Sequence, residues 1–219
     1  AGGERYISGN RCEKPLGLGK DKELPDMYRY KLDQIRALSE QCAADAAVHK
    51  RHRGVIGLPL GLNMYENLFF WVAFFHSLDF DLVISDISSR QLYARGQYSV
   101  PSDTACYPAK LMHGHIENLL DKGVDTNFYP CMSYNFNEEK GDNHFNCPVV
   151  AYYPELLASN VEKLKNIRYL YPYLNLAERK TFPKKVWEAL HEQYPDITPK
   201  EVKRASDEAY EAYQAQRRD

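Results

Sequence analysis

The alternation of short strand-like runs with helical segments is the feature that most constrains how this sequence can fold. The runs that predict strands are Val55–Leu58, Asp81–Ile84, Val124–Tyr129 and Arg168–Tyr171. Shorter extended pieces are expected near Tyr98 to Val100 and at Pro148 to Tyr152. Strands that alternate with helices form a mostly parallel sheet with helices on both faces. The pattern therefore predicts a three-layer α/β fold with right-handed connections.

The two ends of the chain differ from this alternating middle. Residues 1–25 are rich in glycine and have no apolar period, which predicts an irregular segment. Residues 26–175 form the predicted α/β domain, which opens with a helix from Asp26 to about His49. Residues 176–219 predict a C-terminal helical extension, with a helix start signal at Thr198-Pro199-Lys200-Glu201.

Charge and hydropathy disfavour two classes of partner. The 28 Lys and Arg residues face 30 Asp and Glu residues, and a net charge of -2 does not attract a phosphate backbone. The longest apolar run, Leu68 to Phe75, is far shorter than the roughly 20 residues of a membrane-spanning helix. We therefore expect neither a nucleic-acid partner nor a membrane partner.

Five dispersed cysteines favour a reducing, cytoplasmic location, and an opening Ala-Gly-Gly suggests a piece of a longer protein.

Strand and helix direction constrain where two of the cysteines lie. A helix that leads into a parallel strand must itself begin at the carboxyl edge of the sheet. Cys106 begins the helix before the strand at Val124, and Cys131 directly follows that strand, so both are expected at this edge. Open α/β sheets bind their ligands outside this edge. A helix N-terminus also favours a thiolate at Cys106, and a thiolate is the form that binds metals.

The other three cysteines are less constrained. Cys147 follows a loop that starts at the carboxyl edge, and it returns near Cys131 if no helix crosses the sheet within that loop. Cys12 could fold over the same edge from the irregular opening segment. Cys42 lies on the apolar stripe of the first helix and is predicted to pack as a small hydrophobic residue. None of the five has the Cys-x-x-Cys spacing of a zinc or ferredoxin site.

Several other polar residues could bind a metal ion or a polar ligand at or near this edge. They are His113, His115, His144, Ser85, Asp86, Asn63 and Glu66. Surface positions on a helix or loop account for the three histidines more simply, and capping accounts for Asn63 equally well. The sequence has no Gly-x-Gly-x-x-Gly loop, no Gly-Lys-Ser/Thr loop and no nucleophile elbow. We therefore expect no nucleotide in this domain and assign no catalytic residue.

Five separated motifs give the sequence a specific resemblance. They are Tyr6 to Glu13, Gly57 to Asn67, Pro101 to Lys110, Phe128 to Cys131 and Asn143 to Pro148. Together they resemble the domain of unknown function DUF2229 of large CoA-substrate-specific enzyme activases, which are described as activators of 2-hydroxyacyl-CoA (2-hydroxyglutaryl-CoA) dehydratases. The likeness runs from about Arg5 to the final helix.

The resemblance implies a fold, a cofactor and partners. Those activases carry ATPase domains of the acetokinase and sugar-kinase type. The chain is also similar to the Rossmann-like halves of the dehydratase subunits, which hold a cubane iron–sulfur cluster at the carboxyl edge of the sheet. This implies that Cys106 and Cys131 match two cluster cysteines and that Cys12 or Cys147 supplies a third. The first hypothesis is therefore an accessory electron-transfer domain whose partners are the ATPase domains of its parent chain and a dehydratase-like protein.

Two alternatives stay open. The first is a metal-free docking or regulatory domain, in which the cysteines pack and an aromatic surface binds the ATPase domains or a dehydratase-like partner. The second is a CoA-thioester reductase or a dehydratase half in its own right. This second alternative is the weaker one because no acid–base constellation stands out. We expect no activity from the isolated domain.

Overall fold

The computed structural model describes residues 25–48, 53–137 and 141–217. The chain divides between Arg36 and Ala37 into two compact units, and the second unit contains the sheet. Helix α1 is Met27–Val48. The side chain of Asp26 accepts a hydrogen bond from the backbone N–H of Arg29 at 3.0 Å, which starts this helix as predicted. The predicted irregular segment, residues 1–25, lies almost entirely outside the described residues.

Four parallel strands form one sheet, in the order β2-β1-β3-β4. They are β1 (Val55–Leu58), β2 (Asp81–Ile84), β3 (Thr126–Phe128) and β4 (Arg168–Leu170). The four strand predictions are confirmed, and β3 is shorter than the predicted run. The chain moves outward from β1 to β2 and then returns across the sheet to β3. Its direction therefore reverses between β1 and β3, where open α/β sheets place a ligand crevice at the carboxyl ends of the strands.

The helices cover both faces of this sheet. They are α2 (Leu62–Glu66), α3 (Leu68–Ser77), α4 (Arg90–Gly96), α5 (Tyr107–Asp121), α6 (Pro148–Asn160), α7 (Phe182–His191) and α8 (Pro199–Gln216). Helix α3 packs against α8, and α5 packs against α4 and α6. Because the connections to β2 and to β3 run in opposite directions, right-handed crossovers place α3 and α5 on opposite faces. The predicted three-layer, Rossmann-like α/β fold is confirmed.

Aromatic side chains form the core between α3 and the sheet. The ring of Phe128 in β3 lies 4.9 Å from that of Trp71 and 4.9 Å from that of Phe75, measured between centroids. On the other side of α3, the ring of Phe70 lies 5.5 Å from that of Phe182 in α7 and 5.0 Å from that of Tyr210 in α8. The C-terminal helices therefore share the hydrophobic core of the sheet.

Two short extended predictions are wrong. Residues Pro148 to Tyr152 form the first turn of α6, because proline is well suited to the first helical position, where its missing N–H has no partner to lose. Residues Gln97–Ser99 form a 3-10 helix instead of an extended piece. In the described part of the chain, no helix combines the length and the apolar character needed to span a membrane.

Candidate functional site

A mostly apolar cavity of about 540 Å³ lies between the segment before α5 and the helix α6. Its walls include Pro101, Ala105, Val149, Tyr152, Tyr153 and Leu156. Helices α5 and α6 lead into β3 and β4, so both begin at the carboxyl edge of the sheet. We call this space the edge cavity. It has the size and the apolar lining that are typical of ligand sites in proteins.

Two of the predicted site cysteines flank the edge cavity. Cys106 is the residue before α5 and follows the wall residue Ala105, and Cys147 is the residue before α6 and precedes the wall residue Pro148. Both side chains are exposed. Each of the two cysteines therefore directly precedes the first turn of a helix.

Cys131 has different surroundings. It follows β3 and is 1% exposed, and its backbone N–H donates to the carbonyl of Pro172 at 2.9 Å. Burial raises the pKa of the Cys131 thiol to about 11, although hydrogen bonding from the backbone of Glu155 and from Tyr173 opposes the rise. Cys131 is therefore a buried, protonated thiol at neutral pH.

Two buried tyrosines lie near Cys106 and Cys131. Burial raises the pKa of Tyr153 to about 12, and the nearby Cys106 adds to this rise. Burial also raises the pKa of Tyr129, with contributions from Cys131 and Tyr153. Both cysteines thus lie close to this tyrosine pair.

The described cysteines do not by themselves fit an iron–sulfur cluster. Over residues 25–48, 53–137 and 141–217, no group of three or more His, Cys, Asp or Glu side chains is placed to hold a metal ion. Cys12, a predicted ligand, lies outside the described residues. Cys42 is 1% exposed in α1, in agreement with its predicted packing role.

His113 is buried in a hydrogen-bonded chain that reaches the edge cavity. The Ser99 hydroxyl donates to the carbonyl of Gly96 at 3.0 Å, so it accepts from Nδ1–H of His113, 2.8 Å away. The Nε2 atom of His113 then accepts from the hydroxyl of the wall residue Tyr153 at 3.1 Å. Burial lowers the pKa of His113 to about 4, which keeps this neutral arrangement at pH 7.

His115 has a second pair of serine partners. Its Nδ1 atom lies 2.8 Å from the hydroxyl of Ser85, which also accepts a hydrogen bond from the backbone N–H of Leu60. Its Nε2 atom lies 2.9 Å from the hydroxyl of Ser88. Burial lowers the pKa of His115 to about 4. Ser85 therefore links the loop after β1 to the loop after β2, and His115 contacts the loop after β2 through both of its ring nitrogens.

The predicted surface position of these two histidines is wrong. Both are fully buried because α5 is covered by α4 and by α6. Gly114, which lies between the two histidines, was the sequence feature that could have indicated their burial. A Cβ atom at that position would come within 2.1 Å of the carbonyl oxygen of Leu92 in α4, so the two helices are in close contact there. His144 is partly exposed, and its ring lies 5.9 Å from that of Tyr134.

The remaining polar candidates have mixed roles. The Asp86 carboxylate accepts a hydrogen bond from the Asn118 amide and forms an ion pair with Lys122 at 2.8 Å, so Asp86 serves the local structure. Asn63 does not cap α2, because that helix is preceded by Gly61. Its side chain is 6% exposed, and neither of its two polar atoms has a partner in the described structure. Glu66 is exposed.

Comparison with known families gives one match over most of the chain. The model of the family described as "CoA enzyme activase uncharacterised domain (DUF2229)" matches residues 55–219. This range contains the whole sheet, the edge cavity and the C-terminal helices. No match was found among curated proteins or among solved structures.

Proposed function

The chain belongs to the DUF2229 family of CoA enzyme activase domains, and on this basis we propose that it is a metal-free docking domain of an ATP-dependent activase. Its partner in this proposal is the ATPase part of the activase that acts on a dehydratase-type CoA enzyme. The domain itself performs no catalytic step. The carboxyl edge of the sheet is the docking surface, since open α/β sheets use this edge for binding.

The observation that supports docking is a set of exposed aromatic side chains around the edge cavity. Tyr152 is 51% exposed and lines the cavity, and its ring lies 6.1 Å from that of Tyr173, which is 53% exposed. Tyr107 follows Cys106 and is 54% exposed. Tyrosine has an apolar ring and a polar hydroxyl, and it is enriched at protein interfaces for that reason.

The cysteine geometry also favours a domain without metal. Cys131 is 1% exposed, whereas Cys106 and Cys147 are exposed, so the three thiols do not share one environment. Within the part of the chain that the structure describes, no third ligand joins any two cysteines.

Association with the purified ATPase domains of the same activase tests the docking proposal. We expect the Tyr152→Ser/Tyr173→Ser variant to bind them at least tenfold more weakly by calorimetry, because central aromatic residues carry much of the energy of an interface. Tyr28→Ser/Tyr30→Ser is the matched control, because both tyrosines are exposed on α1 and do not line the cavity. Equal loss in both variants, or no binding by the unsubstituted chain, would contradict docking at this edge.

An iron–sulfur role in electron transfer is the second candidate. Cys106 and Cys147 favour it, because they are exposed thiols at two helix N-termini beside one cavity. It requires a further ligand, for which Cys131 and Cys12 are the remaining cysteines predicted from the sequence. Anaerobic reconstitution with iron and sulfide, followed by visible absorption and spin-resonance spectra, tests it. Loss of the cluster signal in Cys106→Ser and Cys147→Ser, but not in Cys42→Ser, would support this candidate over the docking domain.

A further inference from the structure

The groove between α7 and α8 has a charge opposite to that of the whole chain. Its volume is about 630 Å³, and four basic side chains line it, those of Arg179, Lys180, Lys184 and Lys203. The only carboxylate among its lining residues in the described structure is that of Asp207. Four positive charges against one give the lining a net charge of +3, although the chain carries a net charge of -2. This distribution favours a negatively charged partner.

Three of the four basic side chains that line the groove each have a different neighbour. The guanidinium of Arg179 lies 4.6 Å from the ring centroid of Tyr210. The amine of Lys203 lies 2.8 Å from the carboxylate of Asp207, and that of Lys184 lies 3.8 Å from Glu188. Recognition of a single phosphate needs several donors that converge on it. Separately anchored charges fit an extended anion better.

An apolar surface lies between these charges. The Trp187 side chain is held in place, because its Nε1–H donates to the carbonyl of Ile197 at 3.0 Å and its ring stacks on that of His191, 4.7 Å away. Pro183 and Pro199 line the groove on either helix. A rigid aromatic residue with apolar neighbours is the usual anchor point for a peptide side chain.

We propose that the α7–α8 groove binds an extended acidic peptide segment of a protein partner. The carboxylates of the segment face Arg179, Lys180, Lys184 and Lys203, and one of its apolar side chains packs on Trp187. The groove does not include the edge cavity. This inference therefore goes beyond the docking role, and an experiment can contradict either proposal without contradicting the other.

A short synthetic peptide provides the probe. We expect the acetylated, amidated peptide Glu-Glu-Leu-Glu-Glu, carrying an N-terminal dye, to bind the 219-residue chain with a saturable rise in anisotropy that weakens as salt increases. The same peptide with glutamine in place of each glutamate should bind at least about tenfold more weakly, because it lacks the charges. Trp187→Phe should keep some affinity, whereas Trp187→Ala should lower it further.

Adjacent lysines on the same helices provide matched variants. Lys184 and Lys203 line the groove, whereas Lys185 and Lys200 are exposed neighbours that do not. Lys184→Glu/Lys203→Glu and Lys185→Glu/Lys200→Glu change the net charge equally, and all four positions are exposed, so we expect both proteins to fold. The first variant should lose peptide affinity by about tenfold or more, and the second by less than about threefold.

Three outcomes would overturn the proposal. An equal loss in the two variants would show that only net charge attracts the peptide. No binding of the acidic peptide to the unsubstituted chain at low salt would exclude the site. Displacement of the labelled peptide by ADP at a lower concentration than the unlabelled peptide needs would assign the groove to a compact phosphate ligand instead.

Discussion

Gly57 of β1 lies directly opposite Asn127 of β3, and the backbone at Gly57 leaves no room for a side chain beside the Asn127 amide. A Cβ atom on Gly57 would lie 2.2 Å from Oδ1 of Asn127 and 2.9 Å from a methyl group of Val124. The Asn127 side chain is fully buried, and its amide has no hydrogen-bond partner in the described structure. The two strands at the reversal point of the sheet therefore meet through a glycine and a buried amide.

This contact predicts a strong coupling between positions 57 and 127. We expect Gly57→Ala to lower the free energy of unfolding by about 2 kcal/mol, because the added methyl group overpacks a buried site between two strands. Asn127→Ala should cost little, since it removes an unpaired buried amide, and it should relieve most of the loss in the double variant. Urea unfolding of the four proteins measures the coupling, and purely additive losses would contradict it.

Gly114 predicts a similar effect between helices. A Cβ atom there would lie 2.1 Å from the carbonyl oxygen of Leu92, and a Cβ atom on Gly96 would lie 2.2 Å from the backbone nitrogen of Gly114. We expect Gly114→Ala to lower the free energy of unfolding by about 2 to 3 kcal/mol, because α4 and α5 must separate. Gly141→Ala is the control. Among the described residues nothing lies within 4 Å of a Cβ atom at that position, so its effect should stay within about 0.5 kcal/mol.

The sequence predicted the fold well because the strands and most helices depend on local signals. The runs at Val55–Leu58 and Asp81–Ile84 are short, apolar and bounded by turns, and both are strands with those limits. The start signal at Thr198 was equally local, and the capping box is present. The segment at Pro148 misled the prediction, because a proline can precede either an extended piece or a helix.

The candidate site was harder to predict because it depends on how three helices pack. The burial of His113 and His115 follows from the contacts of α5 with α4 and α6, which no periodicity in α5 alone reveals. The edge cavity depends on the distance between α6 and the segment before α5. Its flanking cysteines could be placed at the carboxyl edge, since strand direction determines that edge, but their exposure and the burial of Cys131 could not be predicted.

The two buried histidines predict a loss of stability in mild acid. Burial lowers the pKa of both to about 4, whereas a histidine in the unfolded chain titrates near 6.5. Between these values the unfolded state binds more protons, so the free energy of unfolding falls as the pH decreases from about 6.5 to about 4. Each histidine accounts for a loss of about 3 kcal/mol at most, reached near pH 4.

Glutamine variants separate this effect from the titration of carboxylates. Glutamine keeps a donor and an acceptor near the serine partners of each histidine but carries no titratable group. Urea unfolding midpoints of His113→Gln/His115→Gln should therefore change less between pH 6.5 and pH 4.5 than those of the unsubstituted chain. An unchanged slope in the double variant would show that other groups cause the acid sensitivity.

The start of α8 predicts a smaller, specific loss. The backbone N–H of Glu201 donates to Oγ1 of Thr198 at 3.3 Å, and the backbone N–H of Thr198 donates to the Glu201 carboxylate at 2.9 Å. Thr198 and then Arg53 lower the pKa of Glu201 to about 2. We expect Thr198→Ala to lower the free energy of unfolding by about 1 kcal/mol and Thr198→Ser to leave it nearly unchanged, as measured by thermal unfolding. Equal losses in the two variants would assign the effect to packing of the Thr198 methyl group.

The described cysteines predict two classes of thiol reactivity. Cys106 and Cys147 are exposed, whereas Cys42 and Cys131 are buried, and burial raises the pKa of Cys131 to about 11. Because only an accessible thiolate attacks a disulfide reagent, Cys106 and Cys147 should react first in the folded protein and the other two only after unfolding.

The measurement uses the Cys12→Ser variant, which removes the cysteine outside the described residues. Ellman's reagent at pH 8 modifies the accessible thiols, and peptide mass spectrometry identifies the modified residues. Rapid modification of Cys131 would contradict this expectation and show that the segment after β3 opens to solvent. Slow modification of Cys131 together with fast modification of Cys106 and Cys147 is the expected result.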